Sequence, residues 1–138
     1  AFSGIANAVD TWNKQIDSIL AYGMKKAEEL GVAIRPEVWV DGRLNFPATD
    51  LFVIIGNTLD NAIEACCQIE EESARVVSVV IQQKNHLLLY NGKKLQRPGN
   101  IHGYGLKNVE ACVARSNGLM DISKKHGIFT VSIQLNLE

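Results

Sequence analysis

The sequence predicts an α+β fold: a two-layer α/β sandwich in which a mixed, mostly antiparallel sheet is covered on one face by helices. Three observations lead there. Apolar residues recur at three- and four-residue steps in three separate stretches, strand-like runs rich in β-branched residues lie between and after them, and no internal repeat or low-complexity segment divides the chain. With 138 residues, 46% apolar and 21% charged, the span 1–138 has the material for one domain with its own core.

The first stretch, Ile5, Val9, Trp12, Ile16, Ile19 and Leu20, reads as an amphipathic helix running toward Leu30, with Gly31 as its C-terminal stop. A strand follows over 32–40, where Val38 and Val40 flank Trp39 and Asp41-Gly42 closes the run; Pro36 marks it as an edge or a break. After Pro47, Thr49 or Asp50 can cap a helix over 49–69 whose Phe52, Ile55, Leu59, Ala62 and Cys66 form one apolar stripe. The runs 76–83 and 86–90, joined by Lys84-Asn85, read as a hairpin of two largely buried strands. A polar, glycine-containing loop over 92–104 feeds a helix carrying Leu106, Val109 and Val113. The end forms a hairpin about His126-Gly127, and the alternation of Phe129, Val131, Ile133, Leu135 and Leu137 gives it one buried face.

Charge excludes some partners. A formal net charge of -1 offers no concentrated basic face for a nucleic acid or a membrane surface. Three cysteines, Cys66, Cys67 and Cys112, lack Cys-x-x-Cys spacing and fit a reducing, cytoplasmic setting. No apolar run approaches the roughly 20 residues that span a bilayer, so a membrane anchor, if the parent protein has one, lies outside this chain.

Chemistry concentrates in two places. On the 49–69 helix, Asn57 and Asn61 stand one turn apart, on the face opposite the apolar stripe. Exposed surface amides are the commoner fate of such residues. The functional alternative is that an amide oxygen ligates a hard cation such as Mg²⁺, which takes few protein oxygens and shares its shell with water and substrate phosphates. The second place is His102-Gly103-Tyr104-Gly105-Leu106-Lys107, which opens a helix. Free N–H groups and the helix dipole favour an anion there, and glycine lets a phosphate approach the backbone. Ordinary turn chemistry accounts for the glycines equally well, although Lys107 opposes the dipole unless an anion is bound. Lys93, Lys94 and Arg97 read first as a solvated charged loop.

In that order, IIGNTLDNAIEAC and HGYGLKNVEACV, separated by an apolar hairpin, resemble the N box and second glycine box of the GHKL superfamily, whose Bergerat-type ATP-binding fold is shared by gyrase, the heat-shock chaperone, histidine kinases and MutL. The likeness is greatest to sensor histidine kinases of the quorum- and peptide-sensing branch, whose members also show a stretch similar to KKAEELGVAI. The resemblance implies ATP and Mg²⁺ as cofactors, with Asn61 as the metal ligand, Asn57 as the catalytic polar residue beside the phosphates, and Gly103, Tyr104, Gly105, Leu106 and Lys107 as the phosphate-binding turn. An amide at Asn57 is a poor general base, which favours phosphoryl transfer over hydrolysis.

The resemblance further implies a protein-histidine kinase whose phosphoacceptor histidine and dimerisation domain lie elsewhere in a homodimeric parent, joined through the helix of residues 1–30 and serving a response regulator. None of His86, His102 and His126 is followed by an acid, as the family's phosphoacceptor usually is. Without its neighbour, the stripe of Trp12, Ile16 and Ile19 is expected to be exposed.

One departure stands out. The family's first glycine box, Asp-x-Gly, is replaced by Tyr90-Asn91-Gly92, which leaves Asn91, with Gly92, to supply a neutral acceptor for adenine in place of a carboxylate. The span 92–103 is also short for an ATP lid. Two alternatives therefore stand beside the kinase reading: a degenerate site serving as a regulatory or dimerisation module, and a stand-alone serine kinase like those that act on anti-sigma partners.

Overall fold

The computed structural model describes residues 13–95 and 104–137. It is the expected two-layer sandwich. The elements are α1 (Lys14–Glu29), β1 (Ala33–Trp39), α2 (Ala48–Leu51) continued by a π turn (Phe52–Gly56) into α3 (Asn57–Cys66), then β2 (Val76–Lys84), β3 (Leu87–Leu95), α4 (Tyr104–Arg115), β4 (Leu119–Lys125) and β5 (Ile128–Asn136). The five strands form one sheet in the order β1-β2-β3-β5-β4. Only β1 pairs parallel to its neighbour, and it lies at the edge, where Pro36 costs no ladder bond to a further strand.

Among the described residues helix α1 starts at Lys14; the expected part of it from Ile5 lies outside them. Asn13 is extended, with φ -116 and ψ 110, and its side chain accepts the Ile16 N–H at 2.9 Å, so the residue acts as an N-cap. The helix ends as expected at Gly31, whose φ of +72 lies in the left-handed region. The Val32 N–H donates to the Ala27 carbonyl and the Gly31 N–H to that of Glu28, a Schellman pair. Helix α4 ends the same way through Asn117 and Gly118.

The inner face of the sheet carries Val77, Val79 and Ile81 of β2, Leu88 and Tyr90 of β3, and Phe129, Val131, Ile133 and Leu135 of β5, all buried beneath the helices. Ile16, Ile19 and Leu20 of α1 belong to this same core. The expected exposure of Ile16 and Ile19 is therefore corrected: α1 packs them against the π turn, α3 and β1. Trp12 lies outside the described residues. Lys26 reaches Asp60 and Glu64 of α3 at 3.2 Å each, a surface link worth about 1 kcal/mol or less.

Two further differences from the sequence reading matter for the site. The apolar stripe of the second helix shifts: Leu51 and Ile54 reach the core, while Phe52 is 49% exposed beside Tyr22. A π turn adds one residue to a helical turn; before it Leu51 rather than Phe52 is buried, and within it Ile54 joins Ile55 in the core. The helix also ends at Cys66 rather than near Ile69.

Strand β3 does not stop at Gly92 but pairs on both sides as far as Lys94, with Val77 of β2 and Phe129 of β5. Lysine has little intrinsic preference for strands, but the flanking strands, through Val77 and Phe129, hold the backbone there. The hairpin strands are consequently buried on one face only, and their turn is Asn85-His86, with Asn85 at φ 56.

The π turn makes a stability prediction. Ile54→Ala should destabilise the domain by roughly 2–5 kcal/mol, as a large-to-small core change, and Phe52→Ala by less than about 1 kcal/mol. Urea unfolding of both variants checks this; a regular helix carrying Phe52 in its stripe would reverse the order.

Candidate functional site between α3 and the sheet

Helix α3 packs on the inner face of β2 and β3, and a cleft beside it is lined by Thr58, Asn61, Ala62, Tyr90, Gly92, Lys93, Lys94, Phe129 and Val131. Thr58 turns its hydroxyl away, donating it to the Ile54 carbonyl inside the helix. Asn61 reaches the cleft directly. Asn57, one turn earlier, stands beyond its closed portion. Both asparagines are half-buried rather than presented on the outer face, and neither amide has a hydrogen-bond partner among the described residues. Two unengaged amides one turn apart are suited to a ligand that brings its own charge.

Alternation along β3 sorts the first-glycine-box residues onto opposite faces. Tyr90 and Gly92 point inward. Asn91 points to the open face, where its amide donates to the Ser132 hydroxyl at 3.0 Å. The assignment of Asn91 as the adenine acceptor is thereby corrected: the pleat puts it on the far side of the sheet from Asn61. It lines instead a shallow groove of about 440 Å³ with Gln82, Leu89, Leu119 and Gln134.

Tyr90 occupies the position that Asn91 was expected to serve. Its ring lies over Gly92, where an added Cβ would sit 3.0 Å from the phenol oxygen, so glycine is needed to seat the ring. That hydroxyl is buried without a partner, and burial alone pushes its pKa upward. A buried hydroxyl left unpaired costs about 1–3 kcal/mol.

Lys94, read from the sequence as part of a solvated loop, is 4% exposed. Its Nζ lies 4.8 Å from the centre of the Phe129 ring. Burial depresses its pKa below the usual lysine range, partly countered by Cys66, and the nearby Lys124 charge lowers it further. The motif could not reveal this, because Lys93 and Lys94 are equivalent in sequence and only the strand pleat distinguishes them.

The second motif opens α4, as expected. Tyr104 and Gly105 form its first turn, whereas Gly103 and His102 lie outside the described residues. Leu106 points into the core, which leaves only its backbone for a ligand, and Lys107 is exposed. Helix α4 packs against α3 and the π turn. Its far end is fixed at Asp50, which accepts from the Cys112 thiol through its carbonyl at 3.9 Å and faces Arg115 through its carboxylate, also at 3.9 Å.

The donor set fits Mg²⁺ with a nucleotide: amide oxygens on α3, free N–H groups at the start of α4, and no cluster of three His, Cys, Asp or Glu side chains among the described residues that could hold a metal alone. Among the described residues the cleft is small: it encloses about 10 Å³, room for about one water, with the buried Tyr90 and Lys94 in its lining.

Known structures share this fold. The chain superposes with a TM-score of 0.71 on the nucleotide-free catalytic domain of histidine kinase ThkA, at 12% identity over 89% of this chain and 91% of that one. It matches the mycobacterial sensor histidine kinase MprB at 0.66 and 15% identity, covering 91% and 95%. For histidine kinase AdeS of Acinetobacter baumannii the values are 0.70 and 11%, with 91% of this chain covered and 64% of that chain, so this chain spans less than two thirds of AdeS. No curated protein matches the sequence significantly. The family profile described as GHKL domain matches residues 46–136, from the loop before α2 to the end of β5. The two motifs, the one-faced sheet and that match together place this chain in the GHKL domain family.

Proposed function

We propose that the chain is the ATP-binding catalytic domain of a sensor histidine kinase. It takes Mg·ATP between α3 and the segment entering α4, and donates the γ-phosphate to a histidine on a dimerisation domain elsewhere in the parent protein. The observation that carries this reading is the pair of half-buried, unengaged amides of Asn57 and Asn61.

In this reading the Asn61 amide oxygen faces Mg²⁺, and Asn57 hydrogen-bonds the phosphates from one turn earlier. The backbone of Gly103, Tyr104 and Gly105, with Lys107 beside it, receives their charge. The bound metal supplies charge neutralisation between the phosphates. Among the described residues lining the cleft there is no carboxylate or histidine to act as a base toward water. The domain's work is to position the phosphoryl group and stabilise its charge, as is general for this chemistry. The acceptor histidine, the response regulator and the homodimer belong to the parent protein. No helix among the described residues is long and apolar enough to cross a membrane.

A second reading is favoured by one observation, the closure of the cleft by Tyr90 and Lys94. A GHKL domain that stays closed would act as a regulatory or dimerisation module.

Calorimetric titration of Mg·ATP separates the two. The kinase reading expects saturable binding that Asn61→Ala weakens about tenfold or more, as for losing one contact to a charged group, with the difference vanishing when EDTA replaces Mg²⁺. Absence of both heat and a nucleotide-induced thermal shift for the unsubstituted protein would establish the closed module instead.

A further inference from the structure

The inner face of β3 holds a charged side chain where a core position would ordinarily be apolar. Lys94 follows Leu88, Tyr90 and Gly92 in the inward alternation, and it is buried against Phe129 beneath the end of α3. It lies close enough to the last residue of α3 that its charge acts on the Cys66 thiol, which is itself fully buried. Asn57 is the first residue of that helix, nine residues and therefore about 14 Å away along the axis. Lys94 thus sits at the end of the cleft remote from Asn57. It lines the same small cleft as Asn61, and its buried side chain takes up space there that part of a nucleotide would need.

The geometry points to Lys94 as a built-in occupant of the cleft that competes with the nucleotide: the ligand enters only when the lysine side chain swings out to solvent. This rests on the reading of the cleft as a nucleotide site. The side chain is suited to the task. Its four-carbon stem fills apolar volume, while its ammonium, which reaches the Leu95 carbonyl at 3.5 Å, can extend to water when the stem swings out. Its neighbour Tyr90 is left with an unpartnered hydroxyl at the same floor. Withdrawal of Lys94 opens that phenol to a polar edge of the incoming ligand, which provides the bond the closed state lacks.

Three variants of the whole chain, made with Cys67→Ser so that Cys66 alone of the adjacent pair reacts, test the proposal. They carry Lys94, Lys94→Ala or Lys94→Met. Lys94→Ala empties the position, whereas Lys94→Met keeps its volume without its charge. Competition for space expects Mg·ATP to bind Lys94→Ala about tenfold tighter than the parent, through removal of a closing cost, while Lys94→Met gains much less. Alkylation of Cys66 by iodoacetamide, located by mass spectrometry of the peptide, should accelerate in Lys94→Ala only. Where the parent binds nucleotide, unchanged or weaker binding by Lys94→Ala would overturn the proposal, and unchanged Cys66 labelling would overturn it in every case. Faster Cys66 labelling with no nucleotide binding by any variant would support Lys94 as the occupant and overturn the nucleotide reading alone.

Discussion

The π turn at Phe52–Gly56 decides which side of the second helix reaches the sheet, and the site depends on that choice. With the extra residue in place, Leu51, Ile54, Leu59, Ile63 and Cys66 enter the core in one line. Asn57 and Asn61 are then carried to the flank of the helix, half-buried. A regular helix would carry Phe52 inward in place of Leu51 and rotate the segment before Asn57 against α1 and α4, both of which grip the π turn. Such turns are sparsely used in helices and tend to persist where a functional site needs the offset. Here the offset serves two demands that a uniform 3.6-residue period cannot meet together, a continuous core stripe and a polar pair at a cleft.

The fold itself was legible in the sequence because its signals are local. Gly31 stops α1 through a left-handed residue, His126-Gly127 turns the last hairpin with both residues at positive φ, and five alternating apolar positions from Phe129 onward define the buried face of the final segment. The misreadings share a cause of the opposite kind. The π turn, gripped by α1 and α4, and the extension of β3 to Leu95 are each decided by neighbours distant in sequence. Two polar lysines after a glycine look like loop until β2 and β5 are known to flank them.

The site was legible to the same depth. Helical spacing brought Asn57 and Asn61 together, and a helix does open at Tyr104. The pleat could not be seen. A one-residue step along a strand exchanges faces, so Tyr90, Asn91 and Gly92 cannot all serve one pocket. Once β3 is a paired strand, Asn91 belongs to the open face with Ser132, and the inner face is left with a tyrosine whose hydroxyl finds no partner and a lysine in a core position.

That lysine bears on how a closed cleft and a retained N box coexist in one chain. An apolar residue at position 94 would complete the core over Phe129 and close the cleft for good, since burying it would gain stability with no opposing force. An exposed polar residue would leave a permanent cavity beside Cys66 and forfeit the contacts that line it. Lysine does neither. Its stem supplies packing, and the Phe129 ring offsets part of the ammonium's desolvation. Burial still opposes the charged ammonium and lowers its pKa. A ligand that binds only the open state shifts the population toward it. The closed cleft is therefore compatible with a working site, and the choice of lysine is what makes it so.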